Sequence, residues 1–185
     1  MNKMIIAASL FTSLSLTAIP VSAEIEKIAT PCGAESCFNW WPKLPKVEGW
    51  HQDIDYSVYY GANVQAPDGH TFHDAETVIF AKALYKPNVP DAKSLDDLIQ
   101  DNKAEFLSRN PDTEISEVEM LSTKDGQQLK SFTVFPEKSG NWKRISYGEE
   151  GDYYLVFTIS ARTKDGFAKS IDTYKKFIND YKEKP

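Results

Sequence analysis

His51, His70 and His73 are the three histidines of this chain, and they fall within one short stretch of it. The segment His70-Thr71-Phe72-His73-Asp74 sets two imidazoles three positions apart with a carboxylate directly after them, and Glu76 follows. In a turn, His70 and His73 can face one ion, and neutral imidazole nitrogens beside a carboxylate suit zinc or copper. His51, Asp53 and Asp55 would share one face of the strand predicted from residue 54, if its alternation extends backward. A hairpin would then bring that face toward the others. The set so defined is a metal site of His51, His70, His73 and Asp74. Against it, catalytic zinc takes three protein ligands and structural zinc four, whereas spacing alone supplies no third ligand. The stretch from 61 to 76 is also polar and turn-rich, and histidine is common in exposed loops. The metal site is therefore the alternative reading, and no cofactor is assigned.

The two cysteines stand close together in Pro31-Cys32-Gly33-Ala34-Glu35-Ser36-Cys37. In an oxidising compartment such an isolated pair is expected to form a local disulfide. Closing so short a loop contributes about 2 kcal/mol by chain entropy, which makes it a local clamp. Four intervening residues distinguish the pair from a Cys-x-x-Cys redox centre. The chain contains no Gly-x-Ser-x-Gly elbow, glycine-rich phosphate loop or His-Glu-x-x-His helix. Glu149-Glu150-Gly151-Asp152 lacks the alternating oxygen ligands of a calcium loop and reads as a turn. No catalytic residue is assigned, and a non-catalytic role is favoured over the alternative, a metal-binding protein or metal-dependent enzyme using the His51/His70/His73 cluster.

The compartment is read from residues 1–23. Lys3 gives a positive start, Ile5 to Ile19 is an apolar run too short to span a bilayer, and Val21-Ser22-Ala23 ends in small residues at a cleavage position. This is the pattern of an export signal, so the mature chain is expected to start at Glu24 and to be periplasmic or secreted. Cys32 stands nine positions past Ala23, which argues against a lipid anchor, and no second apolar run of spanning length follows. No membrane insertion is expected after cleavage. The mature chain keeps 20 basic and 27 acidic residues, a net charge of −7. Without a Lys/Arg cluster, such a chain is a poor ligand for nucleic acid.

Pro31, Pro42, Pro45 and Gly49 interrupt residues 24–50, which read as an irregular N-terminal arm carrying the disulfide. Trp40, Trp41 and Trp50 lie there. Rings of this size are expected to cover the domain's own core. The alternative makes Trp40 and Trp41 anchors for a partner. Residues 51–185 then form a single α+β domain. Ile54, Tyr56, Val58 and Tyr60 alternate as in a half-buried strand. Thr77 to Tyr85 is a β-branched and aromatic strand. Ser94 caps a helix with Leu95, Leu98, Ile99, Phe106 and Leu107 on one stripe, and Asn110-Pro111 ends it. Asp125-Gly126 joins strands 115–122 and 128–135. A turn over 148–152 joins strands 142–147 and 153–161. Phe167, Ile171, Tyr174, Ile178 and Tyr181 recur at spacings of four and three, the seam of a closing helix.

This order of elements, with the phrases IDYSVYY, SLDDLIQDNKAEFL and GDYYLVFTISARTKDGFAKSIDTYKKFI, resembles the PsbP/Mog1 superfamily, including its exported bacterial DcrB-like branch. The resemblance covers roughly residues 50 to 182. It implies an antiparallel sheet flanked by helices, an α-β-α sandwich. Members of that superfamily serve as assembly subunits, binding partners and accessory envelope proteins, and they share no catalytic set to carry over. The expected function is accordingly an exported, non-catalytic binding or accessory protein of the bacterial envelope, partnered by another envelope or secreted protein. A narrower version is an immunity or inhibitor protein, in which the acidic domain blocks a toxin or hydrolase.

Overall fold

The computed structural model describes residues 25–32, 35–137 and 140–181. The segment predicted to be an export signal lies outside the described residues. Two strands, β1 (Ile25–Cys32) and β2 (Glu35–Pro42), pair antiparallel with Ile25 opposite Pro42 and Thr30 opposite Cys37. The stretch expected to be an irregular arm is thus largely a hairpin. Its prolines do not prevent this, because Pro31 and Pro42 sit near strand ends of a two-stranded ribbon, where a missing N–H costs little.

The main sheet has seven strands, β3 (Trp50–Gln52), β4 (Asn63–Pro67), β5 (Thr77–Tyr85), β6 (Glu114–Ser122), β7 (Gln128–Phe135), β8 (Trp142–Glu150) and β9 (Tyr153–Ala161). Their spatial order is β3-β4-β5-β9-β8-β7-β6, and every neighbouring pair is antiparallel. Among the described residues there are three α-helices: α1 (Ile54–Tyr60), α2 (Leu95–Arg109) and α3 (Lys164–Asp180).

The pleat of β9 sorts the two cores. Leu155, Phe157 and Ile159 point to one face, where they meet Ile79, Ala81 and Ala83 of β5 and Tyr174, Phe177 and Ile178 of α3. Tyr154 points the other way, into a cluster of Phe132, Val134, Ile145 and Tyr147 with Leu98 and Ile99 of α2. One helix on each face makes the expected α-β-α sandwich. Ser94 Oγ accepts from Asp97 N at 3.1 Å, and Thr163 Oγ1 caps α3 in the same way from Gly166 N at 3.1 Å.

Tyr174 shows how α3 is held. Its hydroxyl donates within reach of Phe157 O at 3.0 Å and Ser146 Oγ at 2.8 Å, and Ser146 Oγ lies 2.7 Å from Ser131 Oγ. Burial pushes the phenols of Tyr174 and Tyr147 well above the usual tyrosine range.

Two predicted boundaries change. β8 runs on to Glu150, so its turn is Gly151-Asp152 rather than 148–152. Gly148 lies in the strand opposite Leu155, where a Cβ would run into Leu129 Cδ2. The larger change is α1, in the place of the predicted first strand. Asp53 Oδ1 accepts from Tyr56 N at 3.2 Å, and Gly61 at φ 58° closes the helix in the left-handed conformation. Ser57, the buried residue of α1, donates to Asp53 O at 2.6 Å and accepts from Val64 N at 2.9 Å. The alternating residues Ile54, Val58 and Tyr60 are exposed. Their period of two therefore records no sheet face.

Candidate functional site

Predicted site residues and newly seen ones meet around α1 and the loop from Asp68 to Glu76. Asp53 is the tie between them. It is buried, and while its Oδ1 caps α1, its Oδ2 accepts from Phe72 N at 2.9 Å. This draws Phe72 onto the helix, where its ring lies 5.4 Å from Tyr56 and 4.6 Å from Tyr60. Tyr56 stacks on Tyr60 at 6.2 Å, and Tyr59 meets Tyr60 edge-on at 4.8 Å. Tyr59 is 78% exposed, with Ile54, Val58 and Tyr60 also open to solvent. The result is an aromatic surface on the outer side of a short, capped helix.

The histidines are distributed rather than gathered. His51 Nδ1 on β3 faces Asp68 Oδ1 at 3.5 Å, and His70 Nδ1 faces Asp74 Oδ2 at 3.7 Å. Asp74 is engaged by Thr71, whose N–H and hydroxyl donate to Oδ1 at 2.6 and 2.9 Å. Those bonds, with a smaller contribution from His70, hold its carboxyl below the usual range. His73 anchors the loop through its backbone, since its carbonyl accepts from Arg162 Nη2. Among the described residues no three His, Cys, Asp or Glu side chains are grouped so as to hold a metal ion. The proposed set His51, His70, His73 and Asp74 is not brought together. Asp53 and Asp55 also leave the expected common face, because helix α1 stands where a strand was predicted.

Trp41 is buried within the domain, and Trp40 is half-buried against it. Trp41 is 3% exposed, and its Nε1 donates to Glu26 Oε2 at 3.3 Å. Trp40 packs on the α3-side core, 5.7 Å from Tyr85 and 6.2 Å from Tyr153. Cys32 ends β1 and Cys37 lies on β2, and no described cysteine is free.

Sequence reasoning missed Tyr56, Tyr59, Tyr60 and Phe72 as one site. A signal was present: from Val47 to Ala81 the chain holds six aromatic and six acidic residues but no Lys or Arg. That bias marks a surface of unusual chemistry, although it does not say which rings face out.

No protein-family model matches this sequence, and a search of curated proteins gave no match. Among solved structures, the chain is similar to the Ran-binding protein Mog1p of Saccharomyces cerevisiae, with 14% identity over 83% of this chain and 85% of that one, and a TM-score of 0.43. It is also similar to the cyanobacterial PsbP (CyanoP) of Synechocystis, with 11% identity over 89% of this chain and 95% of that one, and a TM-score of 0.40. These are the two groups that the sequence resembles, and the likeness is one of fold. The exported DcrB-like branch is represented in neither.

Proposed function

We propose that this chain is an exported, non-catalytic binding or accessory protein of the bacterial envelope, working in the periplasm or after secretion. Its contact with another polypeptide is made through the outer side of α1. The observation that carries this reading is the exposure of Ile54, Val58, Tyr59 and Tyr60 on one short helix, backed by Tyr56 and Phe72. Tyrosines that offer large area with few rotatable bonds are the residues from which binding hot spots are built. A Cys32–Cys37 disulfide, linking β1 to β2 after export, belongs to the same reading. The acidic charge favours the immunity or inhibitor version if the partner is a basic toxin or hydrolase.

The test begins with protein taken from the envelope of the producing cell. Its intact mass should correspond to a chain starting at Glu24 and lacking two hydrogens relative to the reduced form. Bait protein should then retrieve one envelope or secreted polypeptide near equal stoichiometry, and Tyr59→Ala should lower that yield without lowering the melting temperature. Retention in the cytoplasm with residues 1–23 attached would refute the export half of the proposal. A yield indifferent to Tyr59→Ala would refute the contact surface.

A further inference from the structure

The chemistry of the α1 surface narrows its occupant. A hollow of about 510 Å³ opens on this side of the molecule, lined by Asp55, Tyr56, Tyr59 and Tyr60, with no cationic side chain in its wall. Asp55 and Tyr59 are four residues apart on one helix, so their side chains are neighbours. Of the other acids between Val47 and Ala81, Asp53 caps α1, Asp68 and Asp74 face His51 and His70, and Glu76 accepts from Thr163, while the exposed Glu48 lies outside the wall of this hollow. Asp55 is exposed and beside the open rings, and the chain supplies no Lys or Arg between Val47 and Ala81 to neutralise it.

This combination discriminates among partners. Seating an apolar surface on the rings would strip water from the Asp55 carboxylate and leave it unpaired, which is costly. An acidic partner would be repelled. A lysine or arginine satisfies both features at once, since its head pairs with the carboxylate while its stem or guanidinium plane lies over a tyrosine ring. Building on the reading of α1 as a contact surface, we propose that its occupant is a basic polypeptide segment, with a Lys or Arg inserted between Asp55 and the Tyr56/Tyr59/Tyr60 rings. The net charge of −7 on the mature chain steers such a segment inward, so association slows as salt is added.

The probe is a fluorescein-labelled hexa-arginine peptide titrated into the mature chain and followed by anisotropy. Asp55→Asn and Tyr59→Ala should each weaken binding by about tenfold, the scale of a cation–π contact or charge pair sheltered from water. Asp101→Asn, an exposed acid on α2, should change it less than about twofold. Equal losses at all three positions, or an undiminished Asp55→Asn/Tyr59→Ala double variant, would overturn the proposal by showing that only overall acidity attracts the peptide. The second arm places a photocrosslinking residue at position 59 in the producing cell and maps the captured segment by mass spectrometry. A captured segment carrying Lys or Arg at the crosslink supports the inference. A neutral or acidic segment, a second copy of this chain, a glycan or no adduct overturns it. A partner retrieved by bait protein but crosslinked through a neutral segment would leave the binding function standing and remove only the basic occupant.

Discussion

Ile178→Ala tests the α3 packing most directly. Ile178 is fully buried in the cluster with Phe157, Tyr174 and Phe177, one turn before Tyr181 closes the helix end. Removing three carbons there forfeits about 0.8 kcal/mol for each, or about 2.4 kcal/mol. The site is walled by rings on α3 and by the sheet, so collapse is incomplete and a residual cavity adds about 1 kcal/mol more. The expected loss is therefore about 3–4 kcal/mol, equivalent to a fall of about 10 °C in melting temperature for a domain of this size. Lys175→Ala is the control on the polar side of the same helix. Its Nζ lies 3.5 Å from Glu119 Oε1, but the side chains are 36% and 61% exposed. Screened by solvent, that pair contributes less than about 0.5 kcal/mol. Urea unfolding followed by tryptophan fluorescence measures both variants at 25 °C. Comparable losses at positions 175 and 178, or a loss below about 1 kcal/mol for Ile178→Ala, would refute the assignment of the buried seam.

Two further outcomes are expected. Gly61→Ala should destabilise by about 2 kcal/mol or more, because φ is 58° and the new Cβ would stand 2.5 Å from Asn39 Oδ1; Gly49→Ala, at φ 79° with open space around it, should cost only about 1 kcal/mol. Equal losses in urea melts would mean that the β1–β2 hairpin does not hold Gly61. Stability should also fall as pH rises above about 10, since the unfolded chain then releases tyrosine protons that buried Tyr147 and Tyr174 retain in the native state. Tyr174→Phe should cost about 1–2 kcal/mol at neutral pH by removing its hydroxyl contacts, yet make the alkaline decline shallower. An unchanged slope between pH 9 and 11.5 in urea melts would rule Tyr174 out as a contributor.

Local chemistry made much of this fold legible in the sequence. A serine at position 94 followed by an apolar stripe, an Asp-Gly pair between two β-rich runs, and recurrence by fours and threes from Phe167 to Ile178 each specify an element through contacts only a few residues long. Those elements stand where they were expected. Phe177 was missed on the α3 seam, although it is buried between Tyr174 and Tyr181 and packs edge-on to Trp50 at 6.1 Å. That contact joins residues far apart in the chain.

Where the decisive contacts are long-range, the sequence was silent or misleading. Alternation from Ile54 to Tyr60 reads as a strand. The segment is a helix with Ser57 bound to Val64 N and with its capping residue Asp53 bound to Phe72 N. The burial of Trp41 and the seating of Trp40 on Tyr85 and Tyr153 likewise depend on β2 lying against the sheet. At the candidate site, residue types fixed the available chemistry: imidazoles, carboxylates, aromatic rings and an absence of nearby cations in the chain. Only tertiary structure decided that His51 and His70 face separate carboxylates while Tyr56, Tyr60 and Phe72 converge. A seven-residue helix and the loop from Asp68 to Glu76 have no intrinsic reason to meet; the buried Asp53, bonding to both, supplies one.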